Sequence, residues 1–128
     1  MLRIFALALV LTLSLPQDGN AQTTSLEGWW NGGGFLVFAS GAKEQARCRV
    51  HYTRRTDASY FAKASCATAS GRAAQTAILR RASQNSYRGR FHNSEYNISG
   101  LVHVILRGNS QSVRLTSQSA SAYIQLTR

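Results

Sequence analysis

The sequence predicts an all-β fold: an antiparallel, eight-stranded up-and-down barrel with one cross-strand disulfide. Short segments of alternating apolar and polar residues recur at spacings of about ten residues, separated by clusters of Gly, Ser and Asn. The connections are short enough to make each successive pair of segments an antiparallel hairpin. The two cysteines, Cys48 and Cys66, occupy matching positions in neighbouring segments. An eight-stranded meander can close and leave no edge strand exposed, whereas a β-sandwich of two packed sheets is the alternative.

The N-terminus has the pattern of a secretory signal peptide. The first three residues include one arginine, Arg3. An apolar run from Ile4 to Leu15 follows, and polar residues then lead to Ala21. The apolar run is too short to span a membrane. We therefore expect residues 1–21 to be removed, and the protein to be periplasmic or secreted. Residues 22–27 are then a flexible tail, and residues 28–128 form a single barrel domain.

The alternation of apolar and polar residues predicts the position of each strand. We place them near residues 28–38, 45–55, 59–69, 72–81, 86–92, 97–107, 111–117 and 120–127. The sixth strand has the clearest faces, because Ile98, Val102 and Leu106 alternate with polar residues such as His103. The apolar face belongs in the interior. Many interior positions are Ala or Gly, which permits either a ligand cavity or a flattened barrel that packs on itself, and we expect the second.

The second and third strands specify their own register. Folding the chain about Asp57 places Cys48 opposite Cys66. The same register places Val50 opposite Ala64, so it also satisfies the hydrophobic face. Directly opposed strand positions bring Cα atoms close enough for a disulfide, which requires an oxidising compartment and so agrees with export. In a small domain such a bridge contributes on the order of 3 kcal/mol to stability.

A meander also sorts the loops, because alternate connections fall at opposite ends of the barrel. One end has balanced charges, with Lys43 and Arg72 against Glu44 and Glu95. The other end has six arginines against two acids, and a pair of tryptophans. We predict that this basic end is the ligand-binding mouth of the barrel, formed by Trp29, Trp30, Arg54, Arg55, Arg80, Arg81, Arg107 and Arg128. In the alternative, the arginines are solvated strand ends and the tryptophans close the barrel.

That cluster has the chemistry of an anion site. Guanidinium groups bind phosphate, sulfate or carboxylate through paired hydrogen bonds, and indole rings can cover an apolar or planar part of a ligand. Nearly all of the positive charge of the chain is arginine, and the net charge is +10. The sequence therefore indicates anionic partners.

Other chemistry has little support in the sequence. The three histidines, His51, His92 and His103, share the outward parity of the arginines, so we expect neither a metal site nor a cofactor. A disulfide would remove both cysteines as nucleophiles. There is no Gly-x-Ser-x-Gly elbow and no phosphate-binding glycine loop with its lysine. We therefore expect no catalytic residues and a protein that is not an enzyme.

Two resemblances can be recognised. Residues Gly28–Phe35 resemble the Gly-x-Trp opening strand of lipocalins and avidins, which are eight-stranded barrels with a ligand at the mouth. The later tryptophans of an avidin pocket have no counterpart here, so biotin binding is not implied. The segments Ala46–Val50, Cys66–Gly71 and Tyr96–Gly100 are similar to small, uncharacterised exported proteins of alphaproteobacteria. That resemblance implies a localisation and no activity.

Three functions agree with these features. The first is a module that binds an anionic envelope component, such as lipopolysaccharide, phospholipid or an acidic glycan. The second is a protease inhibitor of small-barrel type that inserts residues 22–26 into its target. The third is a structural or interaction protein that adheres to anionic or acidic protein surfaces, with binding that falls smoothly as salt rises. We expect no nucleic acid partner, because the protein is exported and its outward face lacks interleaved aromatic residues. The sequence does not indicate an oligomeric state.

Overall fold

The computed structural model describes residues 25–128 and the isolated Ser14, so the predicted signal peptide and residues 22–24 of the predicted tail lie outside the described residues. The strands are β1 (Gly28–Phe38), β2 (Lys43–Thr56), β3 (Ser59–Thr68), β4 (Gly71–Ser83), β5 (Ser86–Asn93), β6 (Ile98–Arg107), β7 (Ser110–Thr116) and β8 (Ala120–Thr127). Each strand pairs with the next, and β8 pairs with β1 to close the barrel. The predicted up-and-down barrel is therefore confirmed.

The disulfide joins β2 to β3 in the predicted register. Cys48 pairs with Cys66 and Val50 with Ala64 in the antiparallel ladder. The Cα atoms of the two cysteines are 4.1 Å apart. Both cysteine side chains point into the barrel, because Cys48 is buried and Cys66 packs against the core. The bridge therefore forms part of the interior wall.

Glycine allows β1 to approach β8 closely. A Cβ atom placed on Gly32 would overlap the carbonyl oxygen of Gln125, and one on Gly34 would overlap the carbonyl oxygen of Tyr123. No side chain can occupy these positions unless the strands move apart, so glycine is required where the barrel closes. The glycine-rich opening of β1 thus serves the closure of the barrel.

One end of the barrel is filled by a layer of large side chains, which we call the aromatic floor. The indole Nε1 of Trp30 donates a hydrogen bond of 2.8 Å to the carbonyl of Leu26. The hydroxyl of Tyr52 donates to Oε1 of Gln111 at 2.6 Å, and burial raises the pKa of this tyrosine. The floor consists of Leu26, Trp30, Tyr52, Tyr60, Tyr87 and Leu126, none of which is more than 2% exposed.

The aromatic floor lies at the basic end, beside the turns at residues 57–58, 84–85 and 108–109. The opposite end, with the loops at residues 39–42, 69–70, 94–97 and 117–119, has no such layer and is open. This corrects the expectation that the basic end is the mouth of the barrel. Interior positions near the basic end carry Trp and Tyr, whereas several of those near the other end carry Ala. We refer to this other end as the open end.

Within residues 25–128, no helix has the length and apolar character that crossing a membrane requires.

Candidate ligand-binding cavity

The interior of the barrel contains a cavity of about 470 Å³ at the open end. Pockets for small molecules typically measure about 300–1,000 Å³, so this volume is sufficient for a ligand. A smaller space of about 50 Å³ lies between the cavity and the aromatic floor, and Tyr52 and Leu126 of the floor line it. Both spaces share the wall formed by Cys66, Phe91 and Ile124. The expected flattening of the barrel is therefore not observed.

Small side chains create this cavity. On β2, Ala46 is a small interior residue near the open end, whereas Tyr52 lies at the floor. On β8, Ala122 lies nearer the open end than Leu126. Larger apolar residues complete the wall, so a ligand would meet a mainly apolar surface. The apolar lining comprises Leu36, Phe38, Ala46, Ala73, Phe91, Ile98, Leu115, Ala120, Ala122 and Ile124.

One group of polar side chains in the cavity wall is held by its own hydrogen bonds. The side chain of Asn93 is buried, and its Nδ2 donates to Oε1 of Gln75 at 3.4 Å. Its Oδ1 accepts a hydrogen bond of 3.0 Å from the backbone N–H of Tyr96. Nε2 of Gln75 donates to Sγ of Cys66 at 3.7 Å. The amides are thereby fixed at the wall, and Gln75 is a polar anchor in the interior.

A second polar group contains the carboxylate of Glu44. The hydroxyl of Ser70 donates to Oε1 of Glu44. The other carboxylate oxygen, Oε2, is buried and has no hydrogen-bond partner among the described residues. A buried acceptor without a partner is costly, so a donor that reached this oxygen would lower the free energy of the site. In the described part of the chain, Glu44 and Arg72 are the only charged residues that line the cavity, and their charges balance.

The eight predicted ligand-binding residues do not line the cavity in the described structure. Trp30 is fully buried in the aromatic floor, whereas Trp29 is 51% exposed on the outer wall. Adjacent residues of a strand point to opposite faces. The two indoles therefore cannot border the same opening, which corrects the prediction that they would cover one ligand together.

The six predicted arginines do lie at the basic end, outside the floor. The guanidinium carbon of Arg128 is 4.4 Å from the ring centre of Trp30. Those of Arg54 and Arg81 are 5.6 and 5.7 Å from the rings of floor tyrosines. These three cations therefore cover the floor through cation–π contacts. Anion binding by the cluster stays a prediction, and Arg55, Arg80 and Arg107 are exposed and free of such ring contacts in the described residues.

The end of the predicted flexible tail is packed against the barrel. Leu26 is fully buried. The hydroxyl of Ser25 is 3.0 Å from that of Tyr60 and accepts a hydrogen bond of 3.1 Å from Arg54. Since Leu26 belongs to the floor and Ser25 is hydrogen-bonded beside it, these two residues are not free to enter a protease cleft, which corrects this part of the inhibitor hypothesis.

The outer wall carries aromatic residues paired with cations. The expectation that the outward face lacks interleaved aromatic residues is therefore wrong. The outward parity of these positions in the sequence could have revealed them. The three pairs are Trp29 with Arg49 at 4.1 Å, Phe35 with Lys43 at 4.1 Å, and Tyr123 with Arg114 at 4.9 Å. Among residues 25–128, no group of three His, Cys, Asp or Glu side chains is arranged to hold a metal ion.

No family model and no curated protein matches this sequence. Several solved structures of designed barrels are similar in fold. A redesigned β-barrel, mFAP1, bound to DFHBI has a TM-score of 0.69 and 13% identity, over 80% of this chain and 94% of that chain. A de novo designed fluorescence-activating β-barrel has a TM-score of 0.62 and 17% identity, over 80% of this chain and 92% of that chain. At such low identity the comparisons establish the fold alone.

Proposed function

We propose that this protein is an exported, non-catalytic barrel that binds a small, mainly apolar ligand in the cavity at its open end. The observation that carries the proposal is the cavity of about 470 Å³, with its apolar walls and its hydrogen-bonding groups. The redesigned barrel that binds DFHBI is similar in fold, which supports a ligand site in such a barrel. The disulfide and the N-terminal apolar run support export.

The lining indicates the class of ligand. Most of the cavity surface is apolar, so burial of hydrocarbon or an aromatic ring would provide most of the affinity. The amides of Gln75 and Asn93 and the unpaired oxygen of Glu44 offer hydrogen-bonding sites to a polar group on the ligand. Because the charges of Glu44 and Arg72 balance, the cavity does not favour an anion. A neutral amphiphile with a hydrogen-bond donor fits these features best.

Filling the cavity should abolish this binding. In Ala73→Phe, the new ring enters the space that a ligand would occupy, since Ala73 lines the cavity on β4. We expect affinity for the neutral apolar dye Nile red to fall roughly tenfold or more, because burial of a few methylene-sized groups is lost. Fluorescence titration of the mature, oxidised protein measures the change.

The neighbouring residue provides a matched control. Ala74 is exposed on the outer face of the same strand, so Ala74→Phe introduces the same ring outside the barrel and should leave dye affinity unchanged. Thermal unfolding of both variants checks that the fold is intact. Equal dye affinity for native protein and Ala73→Phe, with both folded, would refute the cavity site.

The basic end supports a second candidate function, binding of an anionic envelope component. The supporting observation is the arginine cluster at that end, half of which is free of contacts with the floor. Replacing Arg55, Arg80 and Arg107 with alanine leaves the floor contacts in place. We expect affinity for lipopolysaccharide, measured at low salt, to fall roughly tenfold, because each exposed ion pair contributes up to about 1 kcal/mol.

The control for this prediction removes the same charge elsewhere. Arg47, Arg49 and Arg114 lie on the strands away from the basic end, and their replacement with alanine should weaken binding much less. A similar loss in both triple variants would mean that net charge alone attracts the anion. Nile red binding should be unaffected in either variant, so the two candidate functions are separable.

A further inference from the structure

The outer wall of the barrel carries no carboxylate in the part of the chain that the structure describes. The four acids of residues 25–128, Glu27, Glu44, Asp57 and Glu95, all lie at one of the two ends. Cations, in contrast, occur along the strands. An anionic surface that approaches the side of the barrel therefore meets cations but no carboxylate.

One part of this wall also exposes three large apolar side chains. Phe61, Ile78 and Leu101 are 36%, 46% and 57% exposed. In the ladders, Phe61 pairs with Ile78, Ile78 with Arg90, and Arg90 with Leu101. These four residues therefore form a continuous row across β3, β4, β5 and β6, which we call the wall row. Phe61 and Ile78 are neighbours, and Arg90 separates them from Leu101. Single exposed apolar residues are ordinary, but neighbouring ones rimmed by polar residues are typical of an interaction surface.

Cations flank the wall row on the same face. Lys63 follows Phe61 on β3 by two residues, and Arg88 precedes Arg90 on β5 by two residues, so their side chains share the outward side. Arg88 pairs with His103 on β6. Burial, then Arg88 and Arg114, hold the pKa of His103 below its ordinary value, in agreement with a positive local potential.

We propose that the wall row docks the barrel onto an anionic lipid bilayer. The apolar side chains of Phe61, Ile78 and Leu101 enter the headgroup region, while Lys63, Arg88 and Arg90 contact lipid phosphates. Basic residues around exposed apolar side chains are the usual means by which a protein lies on such a surface. This inference extends beyond the proposed function and does not depend on it.

The side chains favour a bilayer over other anionic partners. Ile78 and Leu101 are aliphatic, so they cannot stack on a base or a sugar ring, whereas they gain by leaving water for lipid. A second copy of the chain would bring two net charges of +10 together and would be repelled. Docking through the side wall also leaves the open end of the barrel free.

Vesicle sedimentation tests the proposal. We expect the native protein to bind vesicles of phosphatidylcholine with phosphatidylglycerol, and to bind phosphatidylcholine alone much more weakly. In the triple variant Phe61→Thr, Ile78→Thr and Leu101→Thr, affinity for the anionic vesicles should fall roughly tenfold or more. Threonine suits exposed strand positions, so the barrel should remain folded.

A control variant removes apolar surface from another side of the wall. Phe35 and Tyr123 pair across β1 and β8 and are 40% and 48% exposed. Phe35→Thr with Tyr123→Thr should retain full vesicle binding. Equal binding by native protein and the triple variant, or a loss in this control instead, would overturn the proposal.

Fluorescence locates the contact independently. Trp29 lies on β1, four strands around the barrel from β5 and three from β4 and β6, so brominated lipids should not quench its emission, and the buried Trp30 contributes the same unquenched emission to both proteins. In the variant Trp29→Phe with Ile78→Trp, the new indole lies in the wall row on β4 and should be quenched. Quenching of the native protein but not of this variant would overturn the assignment. Binding to single-stranded DNA or an acidic glycan, with no binding to anionic vesicles, would also overturn it.

Discussion

Replacing Trp30 with alanine should destabilise the barrel by about 3–5 kcal/mol, because it removes the largest side chain of the aromatic floor. Trp30 is fully buried, and its indole N–H satisfies the carbonyl of Leu26. The variant would leave both a cavity and an unpaired carbonyl at the basic end. Small domains are stable by about 5–15 kcal/mol, so much of the folded margin would be lost. Urea unfolding followed by circular dichroism measures the change.

Trp29 is the natural control for this experiment, since it is the same residue type one position earlier. Its side chain lies on the outer wall beside Arg49 and is 51% exposed. Trp29→Ala should therefore change the free energy of unfolding by no more than about 1 kcal/mol. If the two variants were equally stable, the floor would not be the filled end of the barrel, and the basic end would again be a candidate mouth.

Removing the disulfide should cost on the order of 3 kcal/mol. The bridge joins residues separated by 18 positions and ties β2 to β3. In Cys48→Ala with Cys66→Ala, the unfolded chain regains the conformations that the bridge excludes. The variant also loses two side chains that line the interior. The free energy of unfolding in urea, compared with that of the oxidised native protein, measures the loss.

Reduction of the native protein provides a second route to the same state. The reduced protein and the double alanine variant should unfold at similar urea concentrations, both below the oxidised protein. A difference of less than about 1 kcal/mol between oxidised and reduced protein would contradict a stabilising role for the bridge. Loss of Nile red binding on reduction, without unfolding, would indicate that the bridge shapes the cavity wall.

The outcomes for Trp30 and the cavity bear on function together. In the barrel formed by residues 25–128 the floor closes the basic end, so a ligand would reach the interior from the open end. Suppose that Trp30→Ala destabilises the barrel, that Ala73→Phe blocks dye binding, and that replacing the three free arginines blocks anion binding. These results would establish two separate surfaces. The barrel would then bind an apolar molecule inside and an anionic component outside.

Much of the fold could be predicted from the sequence because strand geometry is local. Side chains alternate with a period of two, so the faces of β6 and β8 are visible in the order of residues. The register of β2 and β3 could be predicted from the sequence, because a shift by one residue would have separated Cys48 from Cys66 and exposed Val50. The grouping of six arginines at one end followed from meander topology alone.

What the alternation could not reveal is how far along the barrel the interior is filled. Parity distinguishes inside from outside, but the filling of a layer depends on side chains from many strands at the same height. Trp30, Tyr52, Tyr60 and Tyr87 come from β1, β2, β3 and β5, and only the closed barrel brings them together.

The sequence by itself therefore determined the strands, the disulfide and the charge of each end. The tertiary structure decided which end is open, because four bulky aromatic residues meet at the basic end while alanines from β2, β4 and β8 meet at the other. The volume of each layer, summed over strands that are distant in the chain, sets the position of the cavity.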